Sequence, residues 1–356
     1  MWPTAYPDSL ENSDSRASDK LNAKISSQAT DKTDRGLVFG CVLDGRGGCR
    51  RVTWDEIGGW RPAAPGEVLW LHLDRTAPEI RDWLQTEISP SEATLDLLVS
   101  NETRPRAFRE SERLITVLRG INFNPGAEPE DMIALQIVAE TQRVISLRRR
   151  RLQTPWDVLA ELEAEKGPRT AGDLLTSIIE QLVTKMNHSI VDMNDRIDEM
   201  EAESRTTNPD ELLEGIADIR RNCLALKRYM SPQHEALVEI QRAAPDWMSG
   251  VNRDDIRETI DRLRRYLEDL DVSKESALVL QDDLNNRAAN RMNRTMYNLS
   301  IVAAIFLPLS FVTGLLGINV GGMPGVNSDL AFWITVGLLI VLLGLQFWIF
   351  RKLKWL

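Results

Sequence analysis

Residues 297–320 read YNLSIVAAIFLPLSFVTGLLGINV and residues 330–350 read LAFWITVGLLIVLLGLQFWIF; neither stretch carries a charged side chain. Each is long enough to cross a bilayer core, which takes about 20 apolar residues. One such run could be the buried core helix of a soluble protein, but two runs joined by a short loop (321–329) point to a membrane. Basic residues orient them. Arg287, Arg291 and Arg294 precede the first span, Arg351, Lys352 and Lys354 follow the second, and the loop has none. Both ends, including the C-terminal tail 351–356, are therefore expected on the cytoplasmic side. Trp333, Trp348 and Trp355 stand where interfacial anchors belong.

The 356 residues leave room for a soluble domain with its own core ahead of these spans. Residues 1–36 mix Ser, Asp, Lys, Asn and Thr without an apolar run of signal-peptide length, which predicts a disordered tail. LVFGCVL and CRRVTW then alternate in strand fashion around DGRGG over residues 37–54, a hairpin signal. Further short strands are expected at 67–73, 113–118, 132–139 and 143–147, with helices at 78–86, 90–99 and 156–165. Residues 37–167 thus read as an α/β or α+β domain.

After Gly167 the pattern becomes helical, and residues 168–296 read as a long-helix stalk. Leu175, Ile179, Leu182, Met186, Ile190, Met193, Ile197 and Met200 mark one long amphipathic helix. A second starts at Pro209, capped by Thr207 or Asn208, and carries Leu212, Ile216, Ile219, Cys223, Leu226 and Met230 until Pro232 kinks or ends it. A third stripe, Ile256, Ile260, Leu263, Leu267, Leu270, Ala277, Leu284, Ala288 and Met292, meets no helix breaker before the first span. Unbroken from 253 to 317, that helix is about 100 Å long. A narrow apolar stripe in water needs a cover. Self-association about a common axis supplies one most simply; an intramolecular bundle of the three helices is the alternative.

Net charge is -10, and residues 157–214 hold fifteen acidic against five basic side chains. A cationic partner is favoured over nucleic acid. Acids at 195–203 and at Asp282 and Asp283 are candidates for concentrating cations, although residues 253–294 are nearly balanced and a solvated helix face explains such charges as well. Cys41, Cys49 and Cys223 are too widely spaced for a disulfide framework or a zinc finger, and fit a reducing compartment. His72, His188 and His234 each lack a second ligand at zinc spacing. No HExxH, CxxC, P-loop or GxSxG motif occurs, so no enzyme and no bound cofactor is expected.

Back from Gly317 at helical spacing come Gly314, Ser310, Leu307, Ala303, Ser300 or Leu299, Met296 and Asn293, a smaller and more polar face than the rest of the span. Such a face marks either close helix packing or a water-lined surface. Pro308 removes the donor for the Ala304 carbonyl, with Ser310 and Thr313 near enough to compensate. Asn319 ends the apolar run. A ring of its carboxamides would offer oxygens without full charge, which suits a divalent ion that keeps most of its water shell.

Residues 286–293 followed by IFLPLSFVTGLLGINVGGMPG (305–325) resemble the pore-helix and loop signature of the CorA superfamily of divalent-cation transporters, with Gly317-Ile318-Asn319 at its Gly-x-Asn motif. Where the magnesium branch has Met-Pro-Glu-Leu in the loop, this chain has Met323-Pro324-Gly325-Val326, which looks like the zinc-associated ZntB branch. VLWLHLD (68–74), TRPR (103–106) and RRNCLALKRYMSP (220–232) add weaker matches, so the resemblance runs over residues 37–356.

The resemblance implies an α+β membrane protein with a cytoplasmic α/β/α domain, a funnel of stalk helices and two C-terminal transmembrane helices. It further implies a homopentamer in the bacterial cytoplasmic (inner) membrane. Asn319 would be the metal-binding outer ring together with the Gly317 carbonyls. Gly314 and Ser310 would continue the polar path, Leu307, Leu299 and Met296 would be hydrophobic gates, and Asn293 the inner mouth. Gly325 removes a loop carboxylate and leaves Asp329 as the only acid there. The expected cargo is Zn2+. A Mg2+ or Co2+ channel of the same fold and a membrane-anchored coiled-coil scaffold are the rivals.

Overall fold

The computed structural model describes residues 34–204, 207, 209–317 and 330–353. They form two compact units, one holding residues up to 202 and 214–277, the other 203–213 and 278–356. Of the sequence expectations, the tail as far as residue 33, the loop 321–329, Asn208, Ile318, Asn319 and Lys354 lie outside the described residues.

The first unit is built on a sheet. Strands β1 (Leu37–Leu43) and β2 (Cys49–Val52) make the expected hairpin. Its turn is held by Asp44 Oδ1, which accepts from the amides of Arg46 (2.7 Å) and Gly48 (3.0 Å). Those amide bonds, that of Arg46 foremost, hold the carboxyl below its usual range. Gly45 and Gly47 take φ of 72° and 110°, which a Cβ resists. There follow α1 (Trp54–Ile57), β3 (Val68–Asp74), α2 (Pro78–Glu87), α3 (Glu92–Val99), β4 (Arg106–Glu110), β5 (Arg113–Gly120), β6 (Ile133–Ala139), β7 (Arg143–Arg148) and α4 (Thr154–Glu163). The strands pair in the order β2-β1-β3-β7-β6-β5-β4, antiparallel everywhere except β3 beside β7. The expected strands and helices are present, and β4 is one the pattern did not announce: RAFRE has no clean alternation because an edge strand is half-exposed along its length.

Central β3 is buried on both faces, so VLWLHLD reads as a nearly continuous apolar run. Leu69, Leu71 and Leu73 face Ile80 and Leu84 of α2 and Leu95 and Leu98 of α3 in one core cluster. On the other face Phe39 stacks edge-on against Trp70 and Trp156 of α4, at centroid distances of 4.9 and 5.2 Å. Gly120 lets the next helix lie close, since a Cβ there would meet Leu182 at 2.7 Å. The result is an α/β/α sandwich.

That next helix, α5 (Ala171–Thr184), opens with a capping box: Thr170 Oγ1 accepts from the Asp173 amide at 3.0 Å and Asp173 returns the bond to the Thr170 amide at 3.2 Å. Asn252 Nδ2 also donates to Asp173, at 2.7 Å. Thr170→Ala is expected to cost about 1 kcal/mol, read as a lowered thermal midpoint by circular dichroism. An unchanged midpoint would show that the Asn252 bond alone fixes this helix end.

Helices α6 (Met186–Glu203), α7 (Pro209–Arg242) and α8 (Gly250–Leu316) complete the stalk. Three expectations are corrected here. The single helix expected through Leu175 and Met200 is two, α5 and α6, parted at Lys185, whose amide bonds to the carbonyls of both Gln181 and Val183. Pro232 does not end α7, because Met230, Gln233, Ala236 and Leu237 around it are buried, and Gln233 Oε1 accepts from the Arg119 amide at 2.6 Å; tertiary packing outweighs the one lost helix bond. The stripe on α8 needs no second copy over most of its course: Ile256, Leu263, Leu270, Ala277 and Leu284 are all buried by the chain itself. Beyond Leu284 that cover stops, and residues 288–300 are exposed throughout. The 67 residues of α8 run without interruption from its Ser249 cap, which accepts from the Asn252 amide at 3.1 Å. The last described helix, α9 (Ala331–Lys352), matches the second span.

Candidate functional site

In the second unit, α8 and α9 are both long and apolar enough to cross a membrane. Each presents one half-buried stripe. On α8 it is Ile301, Ala304, Ile305, Pro308 and Val312, and on α9 Ala331, Thr335, Leu339, Leu342 and Gln346, leading to buried Phe350. These are the spacings of one helix face each.

The residues singled out from the sequence lie on another face of α8. Asn293, Met296, Leu299, Ala303, Leu307, Ser310, Gly314 and Gly317 are all exposed, Leu307 the most among the large apolar ones at 72 %. A Cβ built on Gly314 would meet nothing within 4 Å. The chain thus half-covers one side of its apolar helix and leaves the rest bare, the small, polar-studded face together with Val302, Phe306, Phe311 and Leu315. Ser300 Oγ donates to the Met296 carbonyl at 2.8 Å, which keeps its oxygen free to accept. The proposed relief of Pro308 takes a different form: Thr313 Oγ1 turns to the carbonyls of Leu309 and Ser310, both at 3.1 Å, one turn beyond Ala304. The Gly317 amide closes the helix on Thr313 and Gly314, at 2.9 and 3.2 Å. Asn319 and Asp329 lie outside the described residues.

The acidic candidates differ from one another. Asp283 is bound to Arg287 at 2.5 Å, so part of its charge is spent locally, whereas Asp282 points to solvent. Asp195, Asp198, Glu199 and Glu201 are exposed along α6. No group of three or more His, Cys, Asp or Glu able to hold a metal occurs among the described residues.

His72 is a core residue. Trp70 Nε1 donates to Ser146 Oγ at 3.0 Å, and Ser146 Oγ donates to the Leu71 carbonyl at 3.2 Å. With its one proton so used, Ser146 accepts from His72 Nδ1 at 2.9 Å. Burial, aided by nearby Arg148, pushes this imidazole well below its usual range and keeps it neutral. Cys41 and Cys49 meet across the β1–β2 hairpin, where their mutual hydrogen bond lowers Cys49 and raises the more buried Cys41. Sequence spacing hid this pair; the hairpin reading, which puts one cysteine on each arm, was the available signal.

A mixed-sheet domain followed by a long helix that ends in the first of two candidate membrane spans defines the class, a protein with a large domain ahead of a two-helix membrane anchor or channel unit. The family model described as CorA-like Mg2+ transporter protein matches residues 65–352. The chain is 42 % identical over 327 residues to the divalent cation transporter CmaX of Pseudomonas aeruginosa, covering 91 % of this chain and 98 % of that one. It is 33 % identical over 327 residues to the zinc transport protein ZntB of Yersinia enterocolitica, covering 90 % and 96 %. The solved structure of full-length CmaX superposes with a TM-score of 0.78 at 40 % identity, covering 92 % of this chain and all of that one. The chain belongs to the CorA-like transporter family.

Proposed function

We propose that this chain carries divalent cations, Zn2+ foremost, through an axial pore that α8 lines in a homopentamer of the bacterial inner membrane. The observation that carries this is the bare face of α8: Asn293 to Gly317 on that face is left uncovered by the chain that makes it, while an adjacent stripe is half-buried. Copies related by a closed rotation cover such faces and leave the smallest residues at the axis. Asn319 and the Gly317 carbonyls then form the outer ion ring, Gly314 and Ser310 continue it, and Leu307, Leu299 and Met296 are the rings that gate by dewetting. Asn293 marks the inner mouth. Asp282 enriches cations on the cytoplasmic side more than Asp283 does, since the latter is paired, and Asp329 is the one loop acid outside. Both termini lie in the cytoplasm by the placement of Arg287, Arg291, Arg294, Arg351 and Lys352.

Support for zinc comes from the loop Met323-Pro324-Gly325 and from the relatives named as zinc transporters. Magnesium is the second reading, favoured by the description of the family itself. Purified protein in liposomes, assayed for Zn2+ against Mg2+ entry with and without a proton gradient, separates them. Faster Zn2+ entry is the expected result. Preference for Mg2+ replaces the ion, and flux no higher than in empty liposomes ends the transport proposal.

A further inference from the structure

A cation transporter has an evident use for acids, yet the first unit builds a concentration of arginine. The centre of the sheet holds its one parallel pair, β3 beside β7, and both strands end at the same edge. Arg75 follows β3, and its amide bonds to the Arg148 carbonyl of β7 at 2.9 Å. Arg149 and Arg150 follow β7, and Arg119 arrives at the same edge near the end of β5. Together they line a cavity of about 260 Å3 in which Asp131 is the lone acid. The crevice beyond the carboxyl ends of parallel strands is where open α/β sheets bind ligands.

Among the described residues, no ion pair holds the arginines here. Arg119 is fixed by carbonyls and a hydroxyl: Nε donates to the Thr103 carbonyl at 3.0 Å, Nη1 to the Met132 carbonyl and Nη2 to Thr103 Oγ1, while its plane lies 4.0 Å from the Tyr229 ring. That uses three of its five N–H groups. Arg75 is 8 % exposed, donates from Nη1 to the Val99 carbonyl at 2.8 Å, and has a buried Nε with no partner. No carboxylate bonds either guanidinium among the described residues. Burial lowers both; repulsion from Arg149 adds at Arg75 against the attraction of Asp74, and at Arg119 Tyr229 opposes the shift while Arg228 adds to it. Two partly desolvated guanidiniums that line one cavity, each repelled by a further arginine and each with N–H groups to spare, are stabilised by an anion placed in that cavity. Two stretches that the pore leaves without a task, TRPR (103–106) and RRNCLALKRYMSP (220–232), each send one residue to this cavity, Thr103 and Tyr229.

We infer that this cavity is a cytoplasmic binding site for a small phosphate-bearing anion, clamped by Arg75 and Arg119 from below and by Arg149 and Arg150 at the mouth. Its volume falls just below the usual range of ligand pockets, which suits one or two phosphate groups rather than a whole nucleotide. The planar fork of arginine matches phosphate oxygens two at a time.

Calorimetric titration of the full-length protein in detergent at low ionic strength, with pyrophosphate as probe, tests the site. One pyrophosphate per chain is expected to bind. The double variant Arg149→Gln, Arg150→Gln, which alters only exposed side chains, is expected to weaken it about tenfold. Asp131→Asn is expected to tighten it about threefold, a gain that a damaged fold would not produce. ATP in parallel tells whether the phosphate chain is taken free or on a nucleoside; binding of either supports the site. No heat at millimolar pyrophosphate, or identical affinity in all three proteins, overturns the inference.

Discussion

Gly314→Leu is expected to cut metal flux in liposomes to the level of empty vesicles while leaving the thermal midpoint of the protein unchanged or slightly raised. Both halves follow from the same observation. The face of α8 at this glycine meets no atom of its own chain within 4 Å of a built Cβ, so a leucine has room in the monomer. Leucine also favours helix over glycine by up to about 1 kcal/mol. If copies of α8 enclose a wet axis, a ring of leucines at this position projects into the polar path and adds an apolar constriction. If the face instead looks at lipid, one more apolar side chain alters nothing. Gly337→Leu is the matched control, because Gly337 on α9 is equally open and has no place in the proposed pore. Flux in Gly314→Leu equal to that in Gly337→Leu would remove α8 from the pore wall.

Asn319→Ala is expected to abolish transport, or to erase its choice among Zn2+, Mg2+ and Co2+, with chemically cross-linked oligomers still forming in full. The reasoning is electrostatic. A hydrated divalent ion entering a low-dielectric passage needs oxygens to replace what it loses of its outer water, and alanine offers none. The remaining Gly317 carbonyls keep the helix end but cannot reach as far as a side-chain amide. Because the change is small and the position stands at the end of the apolar run, assembly depends little on it. Unaltered flux and selectivity would take the recognition step away from this residue.

The membrane architecture was legible because it rests on length and charge alone, and both spans fall where uncharged runs of sufficient length lie. The unbroken α8 was legible for a related reason: between Arg253 and Leu316 only Pro308 and Gly314 disfavour helix strongly. Strand positions followed from β-branched runs, and β4 escaped because edge strands lack a buried face to write a pattern. What the stripe of α8 could not say was which molecule covers it. Apolar periodicity reports that Leu263 and Leu270 are buried, and is silent on whether the cover belongs to the same chain, as it does here. The arginine cavity was out of reach for a further reason. Arg75 and Arg149 follow β3 and β7 and Arg119 lies near the end of β5, three positions that sheet order brings to one edge, and their spacing in the chain resembles that of any scattered surface arginines. Of the cavity's lining, only Thr103 and Tyr229 fall in stretches that carry the resemblance, and the resemblance assigns them no role.

Pro308 is half-buried within a helix that is continuous from Gly250 to Leu316, and its ring withholds one amide from the carbonyl four residues earlier. A rod of this length transmits torsion along its axis because every turn is tied to the next; where one tie is missing, bending stiffness drops. The compliant joint therefore sits one residue from Leu307, the most exposed of the apolar side chains assigned to the gate. Small swings about that joint would sweep the leucines inward or outward without unwinding any neighbouring turn, so a narrow throat can be opened by flexure rather than by dismantling the wall that forms it.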